Sequence, residues 1–239
     1  MIRIGTSGWM YDHWKGPFYP EDIASDEMLP FYEETFNTVE VNNTFYQLPS
    51  KDSVRAWEEA SPQSFLFSIK ANRYITHMKN LLEPEEPVDT LMGRLTLLGD
   101  KLGPVLFQLP PHWHVNVKRL ASFLDALPKG RRYALEFRAD SWHVDEVCRL
   151  LEKAGAGFCI HDHPDAPPPE RVTADFVYLR FHGPTGDYGG KYPPQHLKDW
   201  AARIGAWAEA GKDVHTYFNK DRRGYAVDNA QELRAYTHS

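Results

Sequence analysis

Eight short β-type runs recur along the whole chain at a nearly constant interval, and that interval constrains the fold more than any other feature. The runs are Ile2 to Gly5, Thr38 to Val41, Phe65 to Lys70, Val105 to Leu109, Tyr133 to Phe137, Gly157 to Ile160, Phe176 to Phe181 and Val214 to Phe218. Their starts advance by roughly 30 residues per step, the length of a strand, a helix and two loops. Between most of them apolar residues fall three and four apart, as at Leu120, Phe123, Leu124 and Leu127 or Val144, Val147, Leu150 and Leu151. That is the pattern of amphipathic helices. Eight such units predict an α/β fold, a single (β/α)8 TIM-type barrel spanning residues 1–239 as one domain. A doubly wound open sheet is the competitor, but no Gly-x-Gly-x-x-Gly turn follows any strand. Between Ile160 and Phe176 lie Pro164, Pro167, Pro168 and Pro169, which predicts an irregular connection between strands 6 and 7 instead of a helix.

Side-chain parity then predicts a site, because alternate residues of a barrel strand point into the barrel or out toward the helices. On the third run Phe65, Phe67 and Ile69 oppose Ser68 and Lys70, and on the fourth Val105, Phe107 and Leu109 oppose Leu106 and Gln108. The fifth sets Tyr133, Leu135 and Phe137 against Ala134, Glu136 and Arg138. On the seventh, Val177, Leu179 and Phe181 oppose Tyr178, Arg180 and His182; on the eighth, Val214, Thr216 and Phe218 oppose His215, Tyr217 and Asn219. Each apolar set suits packing on helices, and each opposing set ends in a polar group at the strand's C-terminal end. Glu40 and Asn42 repeat this on the second strand. A ring of Glu40, Lys70, Gln108, Glu136, Arg180 and Asn219 therefore lines the barrel mouth, where barrel active sites sit.

The ordered motifs resemble a known family. Gly5-Thr6-Ser7-Gly8-Trp9 with Tyr11, Trp14, Gly16 and Phe18-Tyr19-Pro20 is followed by Thr38-Val39-Glu40-Val41-Asn42-Asn43-Thr44-Phe45-Tyr46 and by Lys70-Ala71 with Arg73 to His77. Next come Gln108-Leu109-Pro110-Pro111, Glu136-Phe137-Arg138 with Ser141-Trp142, Arg180-Phe181-His182-Gly183 and Tyr217-Phe218-Asn219. Together they resemble the YecE-like proteins, the family called domain of unknown function 72, over essentially the whole chain. The resemblance implies a barrel of the triosephosphate-isomerase type and implies no reaction. This chain departs from the family pattern at Ala139-Asp140 before Ser141-Trp142, and at Lys220, where a second asparagine is common.

Glu136 and Arg138 lie two apart on one strand, so a carboxylate and a guanidinium enter one cavity together, as a structural pair or directed at a ligand. Lys70, Arg138 and Arg180 against Glu40 and Glu136 make three cations to two carboxylates. That surplus favours an anionic ligand, for which arginine's fork is suited, and a desolvated Lys70 is a candidate base. Catalytic roles fall to Glu40, Lys70 and Glu136. Substrate contacts fall to Trp9, Asn42, Gln108, Arg138, Trp142, Arg180, His182, Tyr217 and Asn219. Trp9, Trp14, Trp113 and Trp142 follow strand ends, where they wall a pocket or form a capping mini-core. His161-Asp162-His163 and His112-Trp113-His114 have the spacing of metal ligands but no third ligand nearby in sequence. No cofactor is expected; a divalent metal on His161, Asp162 and His182 is the alternative. Gly183, Gly186, Gly189 and Gly190, with Tyr188 and Tyr192 among them, suggest a lid after strand 7.

Composition narrows the partners. The net charge of −6 gives no global attraction to a phosphate backbone. No apolar run approaches the roughly 20 residues that span a bilayer, and Met-Ile-Arg-Ile opens on a strand pattern, so a cytoplasmic protein without a membrane partner is expected. The two cysteines, Cys148 and Cys159, fall on separate buried elements and predict no disulfide. Two functional readings follow. One is an enzyme acting on a small anionic or phosphate-containing substrate; the other is a binding protein for single-stranded or damaged nucleic acid. A metal-dependent phosphodiesterase would join them.

Overall fold

A computed structural model describes residues 1–163, 169–185, 189–220 and 224–237. Its strands are β1 (Ile2–Thr6), β2 (Thr38–Val41), β3 (Leu66–Lys70), β4 (Leu102–Gln108), β5 (Tyr133–Glu136), β6 (Gly157–His161), β7 (Phe176–Phe181) and β8 (Asp213–Phe218). The helices are α1 (Met28–Thr35), α2 (Lys51–Ala60), α3 (Glu85–Leu95), α4 (Val117–Ala126), α5 (Asp145–Ala154), α6 (Pro194–Glu209) and α7 (Tyr225–Thr237). All strand pairs are parallel, in the order β1-β8-β7-β6-β5-β4-β3-β2. This is the (β/α)8 barrel that the strand spacing predicts. No helix joins β6 to β7 among the described residues; Pro164, Pro167 and Pro168 lie outside them.

The ring closes at a special seam. β1 and β2 share a single parallel bridge, Ser7 to Glu40, reinforced by the Gly8 N–H donating to the Glu40 carbonyl at 2.7 Å. Below that bridge the Tyr32 hydroxyl of α1 stands in for the missing ladder, accepting from the Thr6 N–H at 3.0 Å and donating to the Thr38 carbonyl at 3.1 Å. Both backbone groups would otherwise be buried unpaired, at a cost of about 1–3 kcal/mol each. Gly5 makes the approach possible, because a Cβ there would sit 2.3 Å from the Thr38 carbonyl oxygen.

Two apolar layers hold the barrel. Outward residues such as Phe67, Ile69, Phe107 and Leu135 pack with Leu91, Leu95, Phe123 and Leu151 from the helices, and each fully buried side chain of this kind contributes about 1.5–3 kcal/mol. Inside, Leu106, Ala134, Cys159, Phe176, Tyr178 and Tyr217 fill the lumen, so the barrel is a packed core and not a pore. The Tyr217 hydroxyl bonds Thr38 Oγ1 at 2.8 Å and Ser68 Oγ at 2.7 Å, which builds the floor under the mouth. Cys148 and Cys159 are both buried free thiols. No helix among the described residues is long and apolar enough to cross a membrane.

Candidate functional site

Strand parity delivers the charged residues to one place, and the structure divides them into a closed inner cluster and an open outer rim. Arg180 is the hub of the inner cluster. Its Nε and Nη2 grip Glu40, with Nη2 to Oε1 at 2.8 Å and Nε to Oε2 at 3.0 Å, while Nη1 donates to Glu136 Oε2 at 2.6 Å. Glu40 also accepts from Ser7 Oγ at 2.6 Å and from the Tyr178 hydroxyl at 2.7 Å. Glu136 takes a short bond from Arg138 Nε. The side chains of Arg180, Glu40 and Glu136 are entirely buried. Burial alone would raise the Glu136 carboxyl, but Arg138 and Arg180 hold it well below the usual carboxylate range. It is therefore a fixed anion at neutral pH and not a proton donor.

Lys70 stands apart from this network. Its Nζ has no hydrogen-bond or ion-pair partner among the described residues and lies 4.3 Å from the centre of the Phe45 ring. Burial and the nearby Arg180 guanidinium push the amine down to about 7, against the opposing pull of Glu136 and Glu40. A lysine poised at neutral pH is the kind that serves as base or nucleophile. Around it the rim offers unused polar groups. Arg138 spends Nε on Glu136 and Nη2 on His182 Nε2 at 2.8 Å, leaving Nη1 without a hydrogen bond among the described residues. Asn42 Nδ2 donates to Asn219 Oδ1 at 3.0 Å, while Asn42 Oδ1 is buried without a partner. Gln108 lies beside Glu136 in the β4–β5 register, half-buried.

Several expected contacts are reassigned by burial. Trp142 is fully buried, donating its indole N–H to the Trp113 carbonyl at 2.7 Å and stacking on Phe137 at 5.1 Å; it belongs to the capping mini-core. Tyr217 lies in the floor and is sealed from the mouth. Arg180 is fully buried, with each of its three nitrogens bonded to a carboxylate. Trp9 is packed edge-on against Trp57 at 5.8 Å, yet it also borders a cavity of about 110 Å³ with Gly8, Tyr11 and Asn42. Larger surface hollows of about 460 and 490 Å³, beside Phe31 and between α6 and α7, hold none of the mouth residues.

The histidine cluster is likewise engaged in protein contacts. His161 Nε2 bonds the Phe137 carbonyl at 3.0 Å and its Nδ1 accepts from the His163 N–H at 3.2 Å. That pattern specifies the neutral Nε2–H tautomer, and burial pushes the ring down to about 4. Asp162 accepts from the His182 N–H at 2.7 Å and from the Tyr192 hydroxyl. Burial opposes its ionisation, but hydrogen bonds from His182 and Tyr192 hold the carboxyl below its ordinary value. The metal alternative thus finds His161 with both nitrogens occupied, and no set of three His, Cys, Asp or Glu side chains among the described residues is arranged to hold a metal ion. Of the glycines expected to form a lid, Gly186 lies outside the described residues, as does Tyr188. Gly183 has φ near +101°, and a Cβ there would meet the Gly189 carbonyl oxygen at 2.4 Å; Tyr192, whose hydroxyl accepts from the Gly183 N–H at 2.7 Å, ties down the same turn.

One segment beside the site gives no strand or helix signal in the sequence, although Arg73 to His77 belong to a family motif. After Lys70 the chain makes a π-helical turn, Tyr74–Met78, and then places the non-glycine residues Asn80, Leu81 and Glu83 at positive φ. Such residues cost of order 1–3 kcal/mol each and cluster at functional sites, as π turns do. Phe45, the residue against the Lys70 amine, was legible only as part of a motif; its edge contact with His77 at 4.9 Å links it to this turn.

The chain is similar to proteins whose roles are not described by their names. It is 29% identical over 270 aligned positions to the UPF0759 protein YunF of Bacillus subtilis, covering 98% of this chain and 93% of that one. It is 32% identical over 139 positions to the UPF0759 protein YecE of Escherichia coli, covering 58% of this chain and 48% of the relative. A crystal structure of a DUF72 family protein (TM1631) from Thermotoga maritima superposes over the whole of both chains with a TM-score of 0.89 at 27% identity. A second, EF0366 from Enterococcus faecalis, shares the fold with a TM-score of 0.86 at 21% identity, covering 100% of this chain and 96% of that one. The model of the protein family of unknown function DUF72 matches residues 3–239, and the chain belongs to that family.

Proposed function

We propose that the protein is an enzyme acting on a small anionic substrate at the C-terminal mouth of the barrel, with Lys70 as its reactive base or nucleophile. The observation that carries this reading is the Lys70 amine, half-buried at the mouth without a polar partner among the described residues and pushed down to about 7. Leaving a cation unpaired is costly unless the group has work to do in that state. Arg138 Nη1 supports the anionic character of the substrate, as the second cationic donor at the rim not already spent on a carboxylate. Glu40 and Glu136 act through Arg180 as positioning residues. For the nucleic-acid reading, Trp9 and Trp142 offer no open stacking face, since both are buried.

Sulfate binding tests the reading, since sulfate keeps its charge across the neutral range. Calorimetric titration is expected to show tighter binding at about pH 6 than at about pH 8, because Lys70 gives up its proton between them. At about pH 6, Lys70→Ala is expected to weaken binding by about 1.5–3 kcal/mol, the range for a hydrogen bond to a charged group, and to abolish the pH dependence. Sulfate affinity indifferent to both pH and Lys70→Ala would contradict the proposed site.

A further inference from the structure

The surroundings of Lys70 favour one kind of chemistry over another. General acid–base catalysis commonly pairs an acid with a base, each tuned near the operating pH. Glu136 is held ionised and Glu40 is fully bonded, while both nitrogens of His161 are spent and His182 Nε2 accepts from Arg138. His77, in edge contact with Phe45, has its Nδ1 bonded to Thr76 Oγ1, and burial with Lys70 and Arg73 lowers its ring below the ordinary value. Lys70 instead has features that suit a nucleophilic amine: a partly buried position, a nearby cation and an aromatic face. The β2–β3 register ends with Val41 opposite Ile69, so Asn42 and Lys70 are the next residues at neighbouring strand ends. Asn42 Oδ1 is the buried acceptor without a partner.

We propose that Lys70 forms a Schiff base with a small carbonyl compound that carries a carboxylate, the carboxylate resting on Arg138 Nη1 and the reacting nitrogen facing Asn42 Oδ1. This deepens the reading above and rests on it for Lys70 as the reactive group. The neutral amine adds to the carbonyl carbon, forming the C–N bond as the carbonyl π pair moves to oxygen, and one amine proton passes to that oxygen. The resulting carbinolamine then breaks its C–O bond. Oxygen leaves as water with the second amine proton, and the nitrogen lone pair completes the C=N bond. Two amine protons and the carbonyl oxygen make the water, so no oxidant or reductant takes part. Asn42 Oδ1 accepts from the nitrogen while it still carries a proton, and the Phe45 face excludes water from one side of the adduct.

Pyruvate with sodium cyanoborohydride at about pH 7 tests the proposal, with adducts located by peptide mass mapping. About half of the Lys70 amine is neutral there, whereas an ordinary lysine with a pKa of about 10.4 is almost wholly protonated. The expected result is a reduced pyruvyl adduct at Lys70 formed about ten times or more faster than at any lysine of ordinary pKa, and faster than at Lys220, whose amine is also lowered to about 7 but is tied to the Gly190 carbonyl and Asn229 Oδ1. It is slowed by excess sulfate and absent in Lys70→Met. Acetone, a neutral carbonyl of similar size, is expected to react several-fold more slowly. Adducts spread over surface lysines with no preference for Lys70 would overturn the proposal. Equal rates for acetone and pyruvate would overturn its carboxylate seat. Lys70-dependent sulfate binding without a pyruvate adduct would overturn the Schiff base while leaving the anion-site reading intact.

Discussion

Replacing Arg180 with alanine is expected to destabilise the protein by about 3–5 kcal/mol, the cost of removing one partner from a buried ion cluster. Arg180 bonds Glu40 through two nitrogens and Glu136 through a third, with all three side chains fully buried. Without it, Glu40 retains Ser7 and Tyr178, and Glu136 retains Arg138, so two buried carboxylates face each other with only one cation bonded to them. Denaturant unfolding measures the loss as a lower midpoint at an unchanged slope. Its pH dependence identifies the cause. In the parent, Glu136 is depressed below its ordinary value, so its contribution is present above about pH 4.3 and fades as pH falls through the folded pKa. In the variant, burial without the guanidinium raises the Glu136 carboxyl, and protonation relieves it. The gap between parent and variant is therefore widest near neutrality and narrows in acid. A loss below about 1 kcal/mol would mean that Arg180 is poised for a ligand, as its place in a cationic ring suggests from sequence alone.

Lys70→Met is expected to act in the opposite direction and raise stability by about 2–4 kcal/mol at about pH 6. The amine's folded pKa of about 7 lies below its ordinary 10.5, so the native state disfavours the proton that the unfolded chain keeps. Below about pH 7 both states hold it and the native parent bears the full penalty. Between about 7 and 10.5 the native state has lost the proton and the unfolded state has not, so parent stability rises with pH by linkage. The methionine variant lacks that slope, and its advantage shrinks toward zero as pH approaches 10.5. The magnitude is set below the full linkage value because the side chain is only half-buried and water screens it. A variant less stable than the parent at about pH 6 would show that Lys70 is a structural cation. Taken with Arg180→Ala, the two opposite signs separate the group that holds the barrel from the group held in reserve.

Parity carried the reading of the mouth a long way, because an inward residue is fixed by counting along a strand once the strand is recognised. That is why Glu40, Lys70, Gln108, Glu136, Arg138, Arg180 and Asn219 could be placed together from spacing alone. Pairing could not be counted in this way. Glu40 and Arg180 are 140 residues apart in the chain, and only barrel closure decides that they share both oxygens of one carboxylate. The seam that brings Ser7 onto Glu40 depends on a tyrosine hydroxyl from α1, which has no strand signature. Trp142 shows the limit for loops: the 3-10 turn Asp140–Trp142 folds the indole back onto Phe137, so a residue just beyond a strand end closes the barrel instead of facing solvent. At β4 the strand begins at Leu102, three residues before the run read from sequence, because a register shift opposite Phe67 and Ile69 admits Gly103 and Pro104.

The division of the mouth into a saturated ion cluster and an unpaired amine turns on one titration. Carbon-13 shifts of the lysine Cε atoms, followed from about pH 5 to 11 and assigned by comparison with Lys70→Met, report the Lys70 pKa directly. A midpoint near 7 is expected from burial beside Arg180. A midpoint near the ordinary 10.5 would show that Lys70 is a solvated or paired cation, and the division would fall with it.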